Sequence, residues 1–429
     1  MPNSSTSFPL QGERLPQELS QRIRFWSLVA MMSLVYVHAY NLHPRDLLPW
    51  TPVEEPFSAT TYLQYFLANG LLRFRIPILF AISGYLFAHK DGSAPHIVRV
   101  LSRVRTLVIP FVAWCALGLI FVWMLEQFAT TRQLVLAANI VRFDPEFPLV
   151  SNYTPKQVLL CFILAPVPFQ LWFIRSLFIY NLCYPWLRTA VDRVPRLYFA
   201  VAGVLWLTGW VQPRYQLVEG SGLLFFAFGI WLRRRNVDVQ TVPSWFRPWP
   251  LLGLWLALIG VKTGLAFYLK EPPVFLMSIL YRTAELLGIF ILWFGTGALV
   301  RGAMRQAWFI WLTSFSFIIY AMHEPLFSYV SEGVMARWPD HSFLVFALLP
   351  PVVIAAVVGV GALLRRLAPG VYALLTGGRG VRRTTPAPRP WKREGVAIKP
   401  VIISQTDMAE AGRPAVGLPL LERAEPGQE

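Results

Sequence analysis

The chain has 429 residues, 55% of them hydrophobic and only 14% charged, where soluble domains carry roughly a quarter. A mean hydropathy of +0.48 excludes an ordinary soluble fold and points to a polytopic membrane protein. The formal net charge of +16 does not indicate nucleic acid, because the arginines lie in short loops between apolar runs and form no basic groove or binding motif.

Residues 1–22 are polar, lack the apolar core of a signal peptide, and are read as a cytoplasmic tail. The first apolar run, 25–42, has no small-residue cleavage site after it and is read as an uncleaved membrane helix. At about 20 residues per crossing, further runs lie at 66–88, 106–125, 170–188, 197–212, 221–233, 249–268, 279–300, 308–330 and 343–364. The pattern predicts an all-α membrane domain over 23–365 with about ten transmembrane helices. Residues 158–169 are apolar but short and broken by Pro166 and Pro168, which suits a re-entrant or interfacial segment.

Basic residues set the orientation. Arg22 and Arg24, Lys90 to Arg105, Arg188 to Arg196, Arg233 to Arg247, Arg301 and Arg305, and Arg365 and Arg366 all fall on one side if the count is even. The positive-inside rule then places both termini in the cytoplasm. The loop 126–170, with Asp144, Glu146, Asn152 and Tyr153, lies outside and is long enough to cap a site. Residues 366–429, where Arg379, Arg382 and Arg383 precede a Pro-rich stretch, are read as a disordered cytoplasmic tail whose basic part meets anionic lipid.

Ionisable groups inside these runs are the candidates for chemistry, because placing one in hydrocarbon costs a few kcal/mol. At about 1.5 Å per residue, His38 stands about 21 Å above Arg24 in the first run. An imidazole there suits a general base facing a cavity; the alternative is a histidine bonded to a neighbouring carbonyl. Arg73 and Arg75 open the second run and either snorkel to the interface or bind a polar substrate group. Ser83 and Gly84 allow close helix approach. Arg99, Arg103 and Arg105, before the third run, either orient the helix or hold donor phosphates. Arg175, in the fourth, needs a partner, for which Glu285 and Glu324 are candidates. In the ninth run, His323 and Glu324 precede Pro325, which frees a carbonyl and predicts a broken helix lining a cavity; the alternative is an interfacial pair.

Cys115, Cys161 and Cys183 form neither a CxxC nor a metal-ligand spacing. No P-loop, GxSxG or HExxH occurs, nothing specifies a metal, and no inverted repeat is visible.

Four passages resemble the acyltransferase 3 family of integral-membrane O-acyltransferases: Val35 to Ala39, Pro77 to Leu86, Leu171 to Arg175, and Ser316 to Leu326. The resemblance covers most of 23–364. It implies transfer of an acyl group, often acetyl from acetyl-CoA, to a hydroxyl of a carbohydrate, lipid-linked glycan or other envelope component in the bacterial cytoplasmic membrane. It implies no permanently bound cofactor, since acyl-CoA is a donor substrate. His38 matches the family's first-span histidine, with His323 and Glu324 as further catalytic candidates. Arg75, Ser83, Trp172 and Arg175 are the substrate-binding candidates, and Arg99, Arg103 and Arg105 the donor-binding ones. The chain departs from the family pattern at Ser27, where an arginine is common, and lacks a strict Arg-x-x-Arg before the third run. A proton-coupled transporter and a non-catalytic envelope-assembly protein are the competing readings of the same buried charges.

Overall fold

A computed structural model describes residues 15–39, 51–141, 148–209 and 217–380. The chain divides into residues 1–381 and 382–429. The second unit, the loop residues Asp144 and Glu146, and the end of the first predicted run all lie outside the described residues.

The described residues are helical, with no strand among them. In chain order the helices are α1 (Gln17–His38), α2 (Ala59–Ala68), α3 (Arg75–His89), α4 (His96–Arg103), α5 (Ile109–Glu126), α6 (Ala129–Ala138), α7 (Pro155–Leu164), α8 (Trp172–Leu182) and α9 (Tyr184–Arg193). There follow α10 (Pro195–Thr208), α11 (Gly220–Arg234), α12 (Pro248–Tyr268), α13 (Val274–Gly295), α14 (Gly297–Ala303), α15 (Ala307–Thr313), α16 (Ser316–Arg337), α17 (Ser342–Leu367) and α18 (Pro369–Thr376). A π turn, Val104–Val108, joins α4 to α5.

By length and composition five of the described helices can cross a membrane, or six if α7 and α8, bent by 59° at their break, count as one span. Among the described residues each predicted apolar run overlaps helix, but α10 and α11 are short and α16 carries polar groups and a proline, so fewer helices than runs are long and apolar enough to cross. The outward faces suit lipid: Ile109, Leu117 and Ile120 on α5, and Leu344, Leu348, Val352 and Leu363 on α17, are exposed. The chain is a multi-pass membrane protein.

The core packs α1, α3, α8, α11, α16 and α17 around Leu28, Val35, Phe80, Ala227, Ile230, Phe315 and Ile319, all fully buried. The seam between α3 and α11 depends on two glycines. A Cβ on Gly84 would collide with the Phe226 carbonyl, and one on Gly229 with the Ala81 carbonyl. Absence of side chains lets the two backbones touch.

The stretch from 366 that the sequence reads as a tail contains an ordered helix. Residues Pro369–Thr376 form α18, where Tyr372 is fully buried and the Trp114 indole donates to the Leu375 carbonyl at 2.9 Å. Val371 and Leu374 remain on its exposed side. An amphipathic turn with an aromatic anchor buries enough apolar area to order, which charge counting alone does not reveal.

Candidate active site

The histidines of the first and ninth predicted runs meet. His38 is the last residue of α1 and His323 lies on α16; their rings stack with centroids 5.5 Å apart and planes 26° apart. The Phe169 ring approaches His38 edge-on at 4.9 Å. His323 is 0% exposed and Glu324 1%, so both side chains are enclosed by the protein. His323 Nδ1 lies 2.9 Å from the Ile319 carbonyl. A carbonyl only accepts, so Nδ1 carries the proton and, in the neutral ring, Nε2 keeps its lone pair. That Nε2 is buried and has no hydrogen-bond partner among the described residues.

The histidine is positioned by a break in its own helix. Glu324 leaves the helical region at φ −103°, ψ 142°, and the Glu324–Pro325 peptide is cis. Pro325 has no N–H to give the Ala321 carbonyl, as its position in the sequence predicted. Gln170 fills the gap. Its Nε2 donates to Ala321 O at 3.2 Å, with Glu324 O at 3.3 Å and Tyr320 O at 3.4 Å, while the Tyr320 hydroxyl donates to Gln170 O at 2.6 Å. Sequence reasoning passed over Gln170, although an amide opening an apolar run was the available signal.

Gln170 and Phe169 reach the histidines because the chain bends by 59° between α7 and α8 and the break sets residues 169–171 against α16. Thr154 and Gln157 form a capping box at the start of α7. The Arg175 guanidinium donates to the last carbonyls of α7, Ile163 O at 2.5 Å and Leu164 O at 2.7 Å. Gly118 on α5 leaves room for the Pro168 ring. Glu285, one of the two candidate partners of Arg175, is instead held by Arg282 one turn before it, at 3.1 Å. An i, i+3 partner on the same helix costs less ordering than one on a distant helix.

Arg75 does not snorkel. It is 6% exposed, gives Nη1 to Leu72 O at 3.0 Å, and lies within electrostatic range of His323, Glu285 and Glu219. Its Nε is buried with no hydrogen-bond partner among the described residues. Lys262, buried between the Tyr65 and Tyr281 rings, donates to Asn69 O at 3.0 Å in the same region. Trp172 starts α8 against Phe80. Ser83 sits beside the α3–α11 seam and makes no side-chain hydrogen bond among the described residues. The structure therefore gathers His38, His323, Glu324 and Arg75, assigns Arg175 to holding α7, and puts Ser83 at a helix contact.

The donor candidates lie at the arginine-rich end. Arg99 is held by Asp91 at 3.0 Å, with the Phe87 and Tyr184 rings at 4.7 Å and 5.0 Å. Asp91 also takes the Tyr184 hydroxyl at 2.5 Å and meets Arg188 at 3.6 Å and Arg234 at 3.9 Å. Asp192 takes a forked contact from Arg234, its shorter arm 2.7 Å, which raises the arginine's pKa further. These carboxylates, not singled out in the sequence, tie α9 and α11 to the loop after α3. Arg99 is thus a structural tie. Arg103 lies over Phe87 at 5.3 Å without hydrogen bond or ion pair among the described residues, and Arg105 is exposed.

Away from this polar region, a cavity of about 280 Å³ is lined by Leu19, Ile78, Tyr85, Phe228, Trp245 and Phe294 among others; its wall suits hydrocarbon rather than sugar.

The family model described as "Acyltransferase domain" (Acyl_transf_3) matches residues 27–365. The chain is 27% identical over 380 residues to the succinoglycan biosynthesis protein ExoH of Rhizobium meliloti (strain 1021), covering 86% of this chain and 95% of that protein. No solved structure matches the chain.

Proposed function

The chain belongs to the acyltransferase 3 family and is a membrane acyltransferase; from that premise we propose that it moves an acyl group, acetyl in the simplest case, from acyl-CoA to a hydroxyl of a carbohydrate or lipid-linked glycan. The relative named for succinoglycan biosynthesis supports a carbohydrate acceptor. The stacking of His38 on His323 is the observation that carries the mechanism.

His38 takes the proton from the acceptor hydroxyl as its oxygen attacks the thioester carbonyl. The new ester C–O bond forms, the C–S bond breaks, and the proton passes to the departing CoA thiolate. His323 Nε2, an acceptor fixed by the bond at Nδ1, accepts from a neighbouring hydroxyl of the sugar and so holds the reacting one beside His38. Glu324 holds the break, and Arg75 and Trp172 line the acceptor side. Arg103 and Arg105 meet the donor phosphates, with Arg99 stiffening the helix that carries them.

The chain crosses the bacterial cytoplasmic membrane ten times with both termini inside. Three loops assigned to the cytoplasm support this, because Asp91 draws Arg99, Arg188 and Arg234 to one end of the bundle. Residues 1–22 and the residues beyond the membrane domain 23–365 belong to that side. Thiol release from acetyl-CoA by protein in nanodiscs, with lipid-linked or soluble glycan extract, tests the reading. Acceptor-dependent release in the native protein and its loss in His38→Ala are expected; release that survives the substitution contradicts the assigned base.

A further inference from the structure

Arg379 lies beyond the residues shared with the family, which end at 365. It follows α18 in the sequence Gly377-Gly378-Arg379-Gly380, and the glycines make its position possible. Gly377, Gly378 and Gly380 all have positive φ, at 62°, 77° and 74°. A Cβ on Gly377 would stand 2.7 Å from Thr106 O, and one on Gly380 2.8 Å from Ser314 O. The loop is pressed against the π turn on one side and the start of α16 on the other.

From there Arg379 gives Nη1 to Thr106 O at 2.7 Å and Thr376 O at 2.9 Å, and its guanidinium covers the Phe317 ring at 4.4 Å. Thr106 is three residues beyond Arg103, and the Arg103 charge acts on Arg379, so the two guanidiniums lie near each other. Neither forms an ion pair among the described residues, whereas Arg99, Arg188 and Arg234 nearby all have carboxylates. Burial, and then the Arg103 charge, lower the pKa of Arg379 to about 10, which leaves it charged near neutrality. Two like charges held half-buried together are unfavourable until an anion joins them. Phe317 precedes His323 by six residues, about 9 Å along α16 at 1.5 Å per residue, a distance the pantetheine arm of a CoA thioester spans.

We propose that Arg379, carried in by the Gly377–Gly380 loop, joins Arg103 to form a site for a phosphate group of the acyl-CoA donor. The assignment rests on the donor reading above and extends the donor site to a segment outside the family domain. An anionic lipid headgroup offers the same chemistry, so lipid composition separates the two sources.

The test is equilibrium binding of CoA to the full-length protein in phosphatidylcholine nanodiscs, with acetyl-CoA KM and kcat measured beside it. Arg379→Gln and Arg103→Gln are each expected to weaken CoA and raise KM about tenfold, the loss of one charge-assisted contact, with kcat little changed. Arg379→Lys should recover part of the loss. Arg103 makes no hydrogen bond that its removal would break, so its variant keeps the test valid if Arg379→Gln unfolds. Unchanged CoA affinity in both glutamine variants, with the native protein binding CoA, overturns the site, and with it Arg103 as a phosphate contact, while acyl-CoA stands as the donor. So does an effect that appears only when anionic lipid is present, since that assigns the pair to headgroups. Absence of CoA binding by the native protein overturns the donor reading and this inference together.

Discussion

Gln170→Leu isolates the link between the broken helix and the histidine. Leucine is slightly larger than glutamine, so the change removes the amide without opening a cavity. The amide lies 3.2 to 3.4 Å from three buried carbonyls. These distances exceed the usual 2.9–3.0 Å, and one NH2 has two protons, so the loss resembles one to two weak hydrogen bonds left unmade. The expected cost is about 1–2 kcal/mol, toward the lower part of the range for stranded buried acceptors. If that strain falls on His323, kcat drops about fivefold to thirtyfold, since 1.4 kcal/mol is a factor of ten. The Gln170 carbonyl still accepts the Tyr320 hydroxyl, so the segment stays docked and KM for acetyl-CoA is unchanged. Thiol-release kinetics in nanodiscs, with thermal unfolding alongside, measure both effects. A variant with native kcat and native unfolding temperature would show that the amide does not hold the break, and the positioning argument fails.

The remaining expectations follow from the same geometry. His38→Ala should lower kcat by about a hundredfold to ten-thousandfold, the usual worth of a general base, while a glycan-dependent rate within a few-fold of native removes it from the chemistry. Gly84→Ala should cost about 3 kcal/mol by forcing α3 from α11, whereas Gly203→Ala on α10, with nothing within 4 Å of the added carbon, should be neutral or stabilising; equal unfolding temperatures for the two contradict the seam. Asp91→Asn should cost about 3 kcal/mol by leaving the buried Arg99 without its counter-charge, read as earlier unfolding, and a native melting curve would assign the arginine cluster to loops that need no tie.

Much of this protein was legible in one dimension. Apolar runs that fold as helix, five or six of the described helices long enough to cross a membrane, follow from the cost of placing backbone in hydrocarbon, a local property of the chain. The break at Pro325 was legible for the same reason: proline lacks an N–H wherever it stands. His38 and His323 were visible as expensive residues in apolar surroundings. Their stacking was not, because 285 positions separate them and only the packing of α1 on α16 brings the rings together. Partner choice was equally hidden. Glu285 finds Arg282 rather than Arg175, Arg175 finds two carbonyls, and the carbonyl freed by Pro325 is met by Gln170. A buried polar group takes whichever complement the folded chain sets within about 3 Å. Sequence states which groups need a partner, and only the tertiary structure decides which one they have.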